Sequence, residues 1–480
     1  MNLADALDIH AKARPSHPAL IDGDLTLTHA DFAARVRRMA AWLLGLDLPA
    51  DQPVGVCLGD TAQHVVALYA LARAGRAILP MDARWTEEER RNVATHFGAS
   101  LVLLEPDMQA LPGLRCLVPD EASDADAAAA HFTSDADAPF VLSLSSGTTG
   151  RPKGPLIAHR HFLARFRTHW INLGLNARDR FVCATPLYFG GGRTFAMSVL
   201  FSGGTLILNP PPCTPEDLVG CVATQDATSL FLVPTQFRRL LALDDAALAP
   251  LRALNLLFSS GAPLSPEERV AIRDRLCPRF FEYYASTEGG GVSLLTPADI
   301  ATHGDTVGRP VFAVEVEVVD DSDIPLPQGK TGLLRYRGPA CATTYHRDPE
   351  ASAEAFRDGW FYPGDLASLD SEGFVTLRGR QKDMIIRAGI NIHPSDIEAA
   401  LNAHPAVAES AVVGWPSLEF GEEIAAFVRL DHPVGPEELL SFARARLPRP
   451  KWPRQVFVVD DLPRNSAGKV LKRQLVLRLT

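Results

Sequence analysis

None of the seven cysteines of this 480-residue chain forms a CxxC pair, and no histidines sit at zinc-site spacing. Reduced, mostly buried thiols in a cytoplasmic protein are expected rather than a disulfide framework or a zinc site. No apolar run approaches the roughly 20 residues that span a bilayer. The opening residues MNLADALDIHAKARP carry acids early and hold no apolar core segment, so no secretory signal is expected. Neither end shows a lipid-anchor motif. Positive charge is also short: 47 Lys and Arg stand against 57 Asp and Glu, a formal net charge of -10. That balance speaks against a nucleic-acid partner. The Walker A pattern G-x-x-x-x-G-K-[ST] is absent, and so is any internal repeat.

What is present is ordinary for a globular protein, 46% hydrophobic and 22% charged, and long enough for two or more cores. Helical spacing over residues 31–44 precedes a short apolar strand at 54–58. A helix at 64–73, a strand at 77–80 and a strand at 101–104 follow. Such alternation predicts a parallel sheet covered on both faces. Residues 119–138 are acidic and alanine-rich, as in a surface connector. From 311 to 377 the alternation at 314–318 and 332–337 predicts antiparallel strands. The last hundred or so residues read as a small α+β domain.

The strongest local signal is Ser143-Leu144-Ser145-Ser146-Gly147-Thr148-Thr149-Gly150-Arg151-Pro152-Lys153-Gly154, directly after a predicted strand. Glycines, hydroxyls and one lysine suit a loop that wraps phosphate oxygens, with Lys153 as a point charge. The segment resembles the phosphate loop of the adenylate-forming superfamily, the AMP-dependent synthetases and ligases. That group includes acyl-CoA synthetases of the 4-coumarate–CoA ligase type, peptide-synthetase adenylation domains and firefly luciferase.

The resemblance continues in order along nearly the whole chain. Tyr284-Ala285-Ser286-Thr287-Glu288 is similar to the family's aromatic-Gly-x-Thr-Glu motif. It implies that Tyr284 stacks on adenine with Tyr283 beside it, that Thr287 bonds the α-phosphate, and that Glu288 is the metal ligand, for Mg²⁺. Glu282 falls where the family accepts a hydrogen bond from the adenine amino group. Ser260-Gly261-Ala262-Pro263 resembles the loop lining the adenine and acyl sites. Gly359 to Asp365 resembles the GW-x-x-TGD motif, with Pro363 in place of Thr and Asp365 set to bond ribose. Residues 379–386 match the hinge motif, with Arg380 on ribose or phosphate and Lys382 as the hinge. Gly389 falls in the loop that admits the thiol. Pro463-Arg464-Asn465-Ser466-Ala467-Gly468-Lys469 matches the catalytic-lysine motif. An ammonium there would bridge a carboxylate and a phosphate as adenylation proceeds.

The resemblance implies an α/β fold. A large N-terminal domain of α/β subdomains with a small β-barrel-like part would span 1–380, and a small mobile α+β domain 381–480. It implies an acid–thiol ligase using ATP, Mg²⁺ and coenzyme A. An acyl-carrier-protein thiol is the alternative acceptor, and a non-catalytic nucleotide-binding relative is a further alternative. The acyl pocket would lie between Tyr188 and Ala285, with Phe189, Gly191, Phe195 and Phe231 around it. Phe189 stands where relatives often carry His, and Ala285 leaves room for an acid larger than acetate, with aromatic or medium-size acids preferred. Arg193 is either a surface or interdomain residue or a partner for a second carboxylate of a diacid.

Overall fold

The computed structural model describes residues 1–120, 135–144, 152–464 and 470–479. Ser145, Ser146, Gly147, Thr148, Thr149 and Gly150 of the phosphate-loop motif, most of the acidic connector, and Lys469 lie outside the described residues. Two compact units emerge: Met1–Glu315 with Tyr336–Phe361, and Val316–Arg335 with Tyr362–Thr480.

In the first unit the apolar runs become buried parallel strands. All four residues of Leu101–Leu104 are buried, as are those of Val54–Cys57, so each strand is covered on both faces. These two pair in parallel, and Ile78–Pro80 and Pro139–Leu142 extend the same sheet. The antiparallel strand Leu156–Ala158 closes one edge. A second, larger sheet runs in the order 309–310, 290–295, 280–286, 256–259, 229–232, 180–183, 205–208, 18–22, 25–28. Its six central strands from 280–286 to 18–22 are parallel, and the remaining strands at each end pair antiparallel.

The helices start where the sequence supplies caps. Thr28 accepts from the Asp31 N–H, and the Asp31 carboxylate accepts from the Thr28 N–H, which opens helix His29–Leu44. Phe32, Val36, Met39, Ala40 and Leu43 then form its buried stripe. Reciprocal boxes of the same kind open Glu87–Phe97, Pro215–Thr224 and Pro266–Ala271.

The second unit has a sheet in the order 390–392, 385–387, 421–430, 407–417, with Gln455–Val458 parallel to 421–430. Helices Pro394–Asn402 and Pro436–Arg444 place Ile397, Leu401, Leu439 and Leu440 in one core with Ile385, Val412 and Ile424. The antiparallel pair Asp365–Leu369 and Val375–Arg380 belongs to this unit as well. Both predicted classes, α/β first and α+β last, are thus realised. No helix among the described residues is long and apolar enough to cross a membrane.

Among the described residues, five histidines are buried in the first unit. Burial is the leading cause that holds His29, His64, His159 and His161 down at about 4, and His169 at about 3, against an ordinary 6.5. The folded chain keeps them neutral while the unfolded chain takes up protons below about pH 6.5. Stability is therefore full above that pH and falls as the pH drops towards the folded values. The melting temperature is expected to fall clearly between about pH 7 and about pH 5, and His64→Gln is expected to make the fall shallower. A flat profile across that range would contradict this account.

Candidate active site

The loops that follow strands 180–183, 229–232, 256–259 and 280–286 leave the same, carboxyl-terminal edge of a parallel array. Open α/β sheets bind ligands at that edge. Gly261, Ala262 and Pro263 follow Leu256–Ser259 there, and Gly261 has φ +98. Next to it, Tyr284 to Ser286 end strand 280–286, and Thr287 and Glu288 follow.

Side chains alternate along that strand, and the alternation sorts the predicted residues. Phe280 packs on Phe237, with ring centroids 5.4 Å apart. Glu282, on the same face, is 4% exposed, and Arg269 grips both its carboxylate oxygens at 2.5 and 3.0 Å. Burial pushes the Glu282 carboxyl up, and Arg269 opposes that shift. Glu282 is thus the buried half of an ion pair, with both carboxylate oxygens taken by Arg269. Tyr283 points to the opposite face. Its hydroxyl meets the Thr168 hydroxyl at 2.8 Å, and the residue is 3% exposed. Tyr283 is therefore a core residue, a correction to its expected place beside the nucleotide. Gly291 across the hairpin has no room for a Cβ, which would stand 1.7 Å from the Tyr283 oxygen. Tyr284 is half-buried on the Glu282 face.

The turn after this strand carries Thr287 and Glu288. Glu288 is 8% exposed, and its Oε1 accepts from the Tyr345 hydroxyl at 3.0 Å. Lys153 stands over the Tyr345 ring, with Nζ 5.3 Å from the centroid. Burial and the Glu288 charge push the Tyr345 phenol up, so it stays a donor at neutral pH. Lys153 and Glu288, 135 positions apart in sequence by subtraction, thus meet through Tyr345. Nothing local in the sequence marks Tyr345, because its partners come from distant segments.

No group of three or more His, Cys, Asp or Glu among the described residues could hold a metal ion by itself. A lone carboxylate fits Mg²⁺ that arrives with a nucleotide, since this ion is commonly bound by one or two carboxylates plus phosphate oxygens.

The turn of residues 186–189 leads into helix Gly190–Ser202. Asp60 accepts from the Leu187 N–H at 2.6 Å. Trp85 meets the Tyr188 ring edge-on at 6.2 Å, and Arg84 lies 5.6 Å from that ring's centroid. Phe189 and Phe231 crowd the place where a Gly191 Cβ would stand, at 3.2 and 3.1 Å. Gly191 therefore leaves room for two aromatic rings. Phe195 and Phe231 are 3% and 1% exposed and pack with Phe258, at 4.6 and 5.2 Å between centroids. Phe195 belongs to the core, and Phe231 backs Gly191 from that core. Ala285 is half-buried on the Tyr283 face.

Arg193 is only 1% exposed, which rules out the surface reading. Its Nη1 donates to the Leu187 and Tyr188 carbonyls at 3.2 and 2.7 Å, and its Nη2 to the Ser143 hydroxyl at 3.0 Å. Both Nη atoms are engaged by the protein itself. That corrects the expectation of a guanidinium open to a second carboxylate. Burial draws Arg193 down to about 9.

In the second unit, Asp365 stands directly opposite Arg380 across the hairpin. Their side chains pair at 2.6 Å, and Arg380 Nη1 also reaches the Pro363 carbonyl at 3.3 Å. Asp365 is 7% exposed. Lys382 lies exposed in the short helical turn Gln381–Asp383. Gly389, exposed with φ +78, tips the hairpin between Ile385–Arg387 and Ile390–Ile392, and nothing lies within 4 Å of where its Cβ would be. Arg464 and Val470, which flank the segment with Lys469, form a β-bridge.

Two family models match the chain. One, described as AMP-binding enzyme, covers residues 7–346, and the other, AMP-binding enzyme C-terminal domain, covers 396–469. The chain belongs to the AMP-binding enzyme family. Among individual proteins it is 31% identical over 479 residues to a feruloyl-CoA synthase of an Amycolatopsis species, covering 97% of this chain and 96% of the relative. It is 29% identical over 501 residues to the fatty acid–[acyl-carrier-protein] ligase ScoC of Streptomyces coeruleorubidus, covering 98% and 95%. The structure of Bacillus subtilis O-succinylbenzoate coenzyme A synthetase with ATP and a magnesium ion superposes with a TM-score of 0.90, at 26% identity over 98% of each chain.

Proposed function

We propose that this enzyme activates a carboxylic acid with ATP as an acyl-adenylate and passes the acyl group to coenzyme A, releasing AMP and pyrophosphate. The observation that carries the reading is the convergence of Lys153 and Glu288 on Tyr345 at the ligand edge of the parallel sheet. The substrate carboxylate attacks the α-phosphorus, the bond to the β-phosphate oxygen breaks, and pyrophosphate leaves. Positioning and charge neutralisation are what a protein adds to such a step. Lys153 and Thr287 would face phosphate oxygens, and Tyr284 would stack on adenine. Glu288 would hold Mg²⁺, which offsets phosphate charge. Asp365 would accept from the ribose hydroxyls, with Arg380 beside it.

The segment from Gln381 onward would turn about Lys382 between the half-reactions. Lys469 would serve the first and the Gly389 loop the second, where a thiolate attacks the acyl carbonyl and AMP departs. Gly261, Ala262 and Pro263 would line the acyl end of the nucleotide site. The preferred acid is aromatic or of medium size, supported by the small Ala285 and by the feruloyl-CoA synthase relative. A carrier-protein thiol is the alternative acceptor, as ScoC's name suggests. Seven free cysteines accord with a cytoplasmic location.

The test is AMP and pyrophosphate release over a panel of aromatic, medium-chain and dicarboxylic acids, with and without coenzyme A. AMP formation that requires one acid class and coenzyme A is expected. Acid-dependent exchange of pyrophosphate into ATP that gains nothing from coenzyme A would move the acceptor to a carrier protein. Lys469→Ala is expected to slow that exchange by about a hundredfold or more. Unchanged exchange would remove Lys469 from the first half-reaction.

A further inference from the structure

Arg165 lies on helix His159–Thr168 and is 4% exposed. Its Nη2 donates to the Thr287 carbonyl at 3.0 Å and to the Glu288 carbonyl at 3.1 Å. Nε and Nη2 both reach the Ala340 carbonyl at 3.4 Å. Gly290, with φ +71, lets the turn close over the arginine, since a Cβ there would stand 2.8 Å from its Cγ. Among the described residues the hydrogen-bond partners of Arg165 are carbonyl oxygens, and none is an ion-pair carboxylate. An arrangement of that kind is costly to fold. Burial accordingly draws the guanidinium below its ordinary value.

The three carbonyls belong to two separate segments. Thr287 and Glu288 end the hairpin that bears the phosphate and metal residues. Ala340 opens the segment that brings Tyr345 onto the Glu288 carboxylate. The Ala342 N–H also donates to the Glu288 carbonyl at 2.8 Å, which closes the same junction. The helix bearing Arg165 follows strand Leu156–Ala158, a few residues beyond Lys153. One guanidinium thus ties together the segments that supply Lys153, Thr287, Glu288 and Tyr345.

We propose that Arg165 is the positioning residue of the nucleotide-metal subsite: its fork on the Thr287, Glu288 and Ala340 carbonyls sets the Glu288 carboxylate where magnesium-bound triphosphate needs it. The proposal rests on the assignment of Glu288 to the metal. A planar fork can bridge several carbonyls at once, whereas an ammonium is a single point.

The test uses the full-length chain with ATP and Mg²⁺ as probes. Calorimetry gives the ATP affinity across a magnesium series for wild type, Arg165→Met, Arg165→Lys and Glu288→Gln, and thermal unfolding is recorded for each. Arg165→Met is expected to lose about tenfold of the magnesium-dependent gain in ATP affinity, the scale of one lost charged hydrogen bond. Affinity without magnesium should change little. Arg165→Lys, which keeps the charge, should recover only part of the loss, and it decides the matter if Arg165→Met does not fold. A lower melting temperature with the wild-type magnesium gain would overturn the proposal, because a purely structural role predicts that pattern. If Glu288→Gln keeps the full magnesium gain, the metal assignment of Glu288 fails separately, whatever Arg165 does.

Discussion

Glu288→Gln is expected to cut acid-dependent pyrophosphate exchange by about a hundredfold or more while leaving the fold intact. The substitution keeps shape and volume and removes one charge. The Tyr345 hydroxyl can still donate to the amide oxygen, so the local hydrogen bond survives. On the proposed assignment, what is lost is the anionic ligand for Mg²⁺ beside the phosphates. Higher magnesium should restore part of the rate, since the phosphate oxygens still bind the ion. Tyr345→Phe separates the two functions of this corner. It removes the donor to Glu288 but not the charge, so a smaller loss of roughly tenfold is expected. Equal losses in the two variants would mean that the hydrogen bond, not the charge, matters.

Gly308→Ala is expected to unfold the chain's ligand-bearing edge, at a cost of about 3 kcal/mol or more. Two causes add. Gly308 has φ +82, a region that an alanine enters at a cost. Its Cβ would also stand 1.9 Å from the Leu294 carbonyl oxygen, a backbone atom that cannot swing away. Leu294 belongs to strand Gly290–Leu295, which pairs with the strand carrying Tyr284. Gly113 is the control, with φ +78 and open space where a Cβ would go. Gly113→Ala is expected to cost only about 1 kcal/mol by conformation alone. Urea midpoints compare the two, and similar shifts would show that the contact with Leu294 relaxes freely.

Local pattern was enough for much of the fold. Four consecutive apolar residues at Leu101–Leu104 mark a strand buried on both faces, and it forms over those residues. The alternation at Gly332–Arg337 likewise becomes a strand with the same bounds. Helical spacing over 31–44 marks a helix that forms over His29–Leu44, starting two residues earlier at the Thr28 cap. The family motifs were legible for a related reason, since each lies within a few consecutive residues. Order along the chain, from the glycine-rich loop to the lysine motif, was enough to recognise the family.

Pairing across long separations was a different matter, and tertiary structure alone decided it. Glu282 and Tyr283 are adjacent in a motif-rich strand, so both looked available to a nucleotide. One is held by Arg269, 13 residues away, and the other by Thr168, 115 residues away. Arg193 drew attention as a cation near the acyl site. Its burial against Ser143, 50 residues away, determines what its charge meets. Arg165 and Thr287 are 122 residues apart, and no spacing rule connects them. Side-chain periodicity and cap chemistry act within one or two turns of chain and can be read directly from neighbours. The partner of a buried polar group depends instead on which strands and helices pack side by side. In this protein that packing puts the Thr287 and Glu288 carbonyls on the buried Arg165 guanidinium and Tyr345 between Glu288 and Lys153.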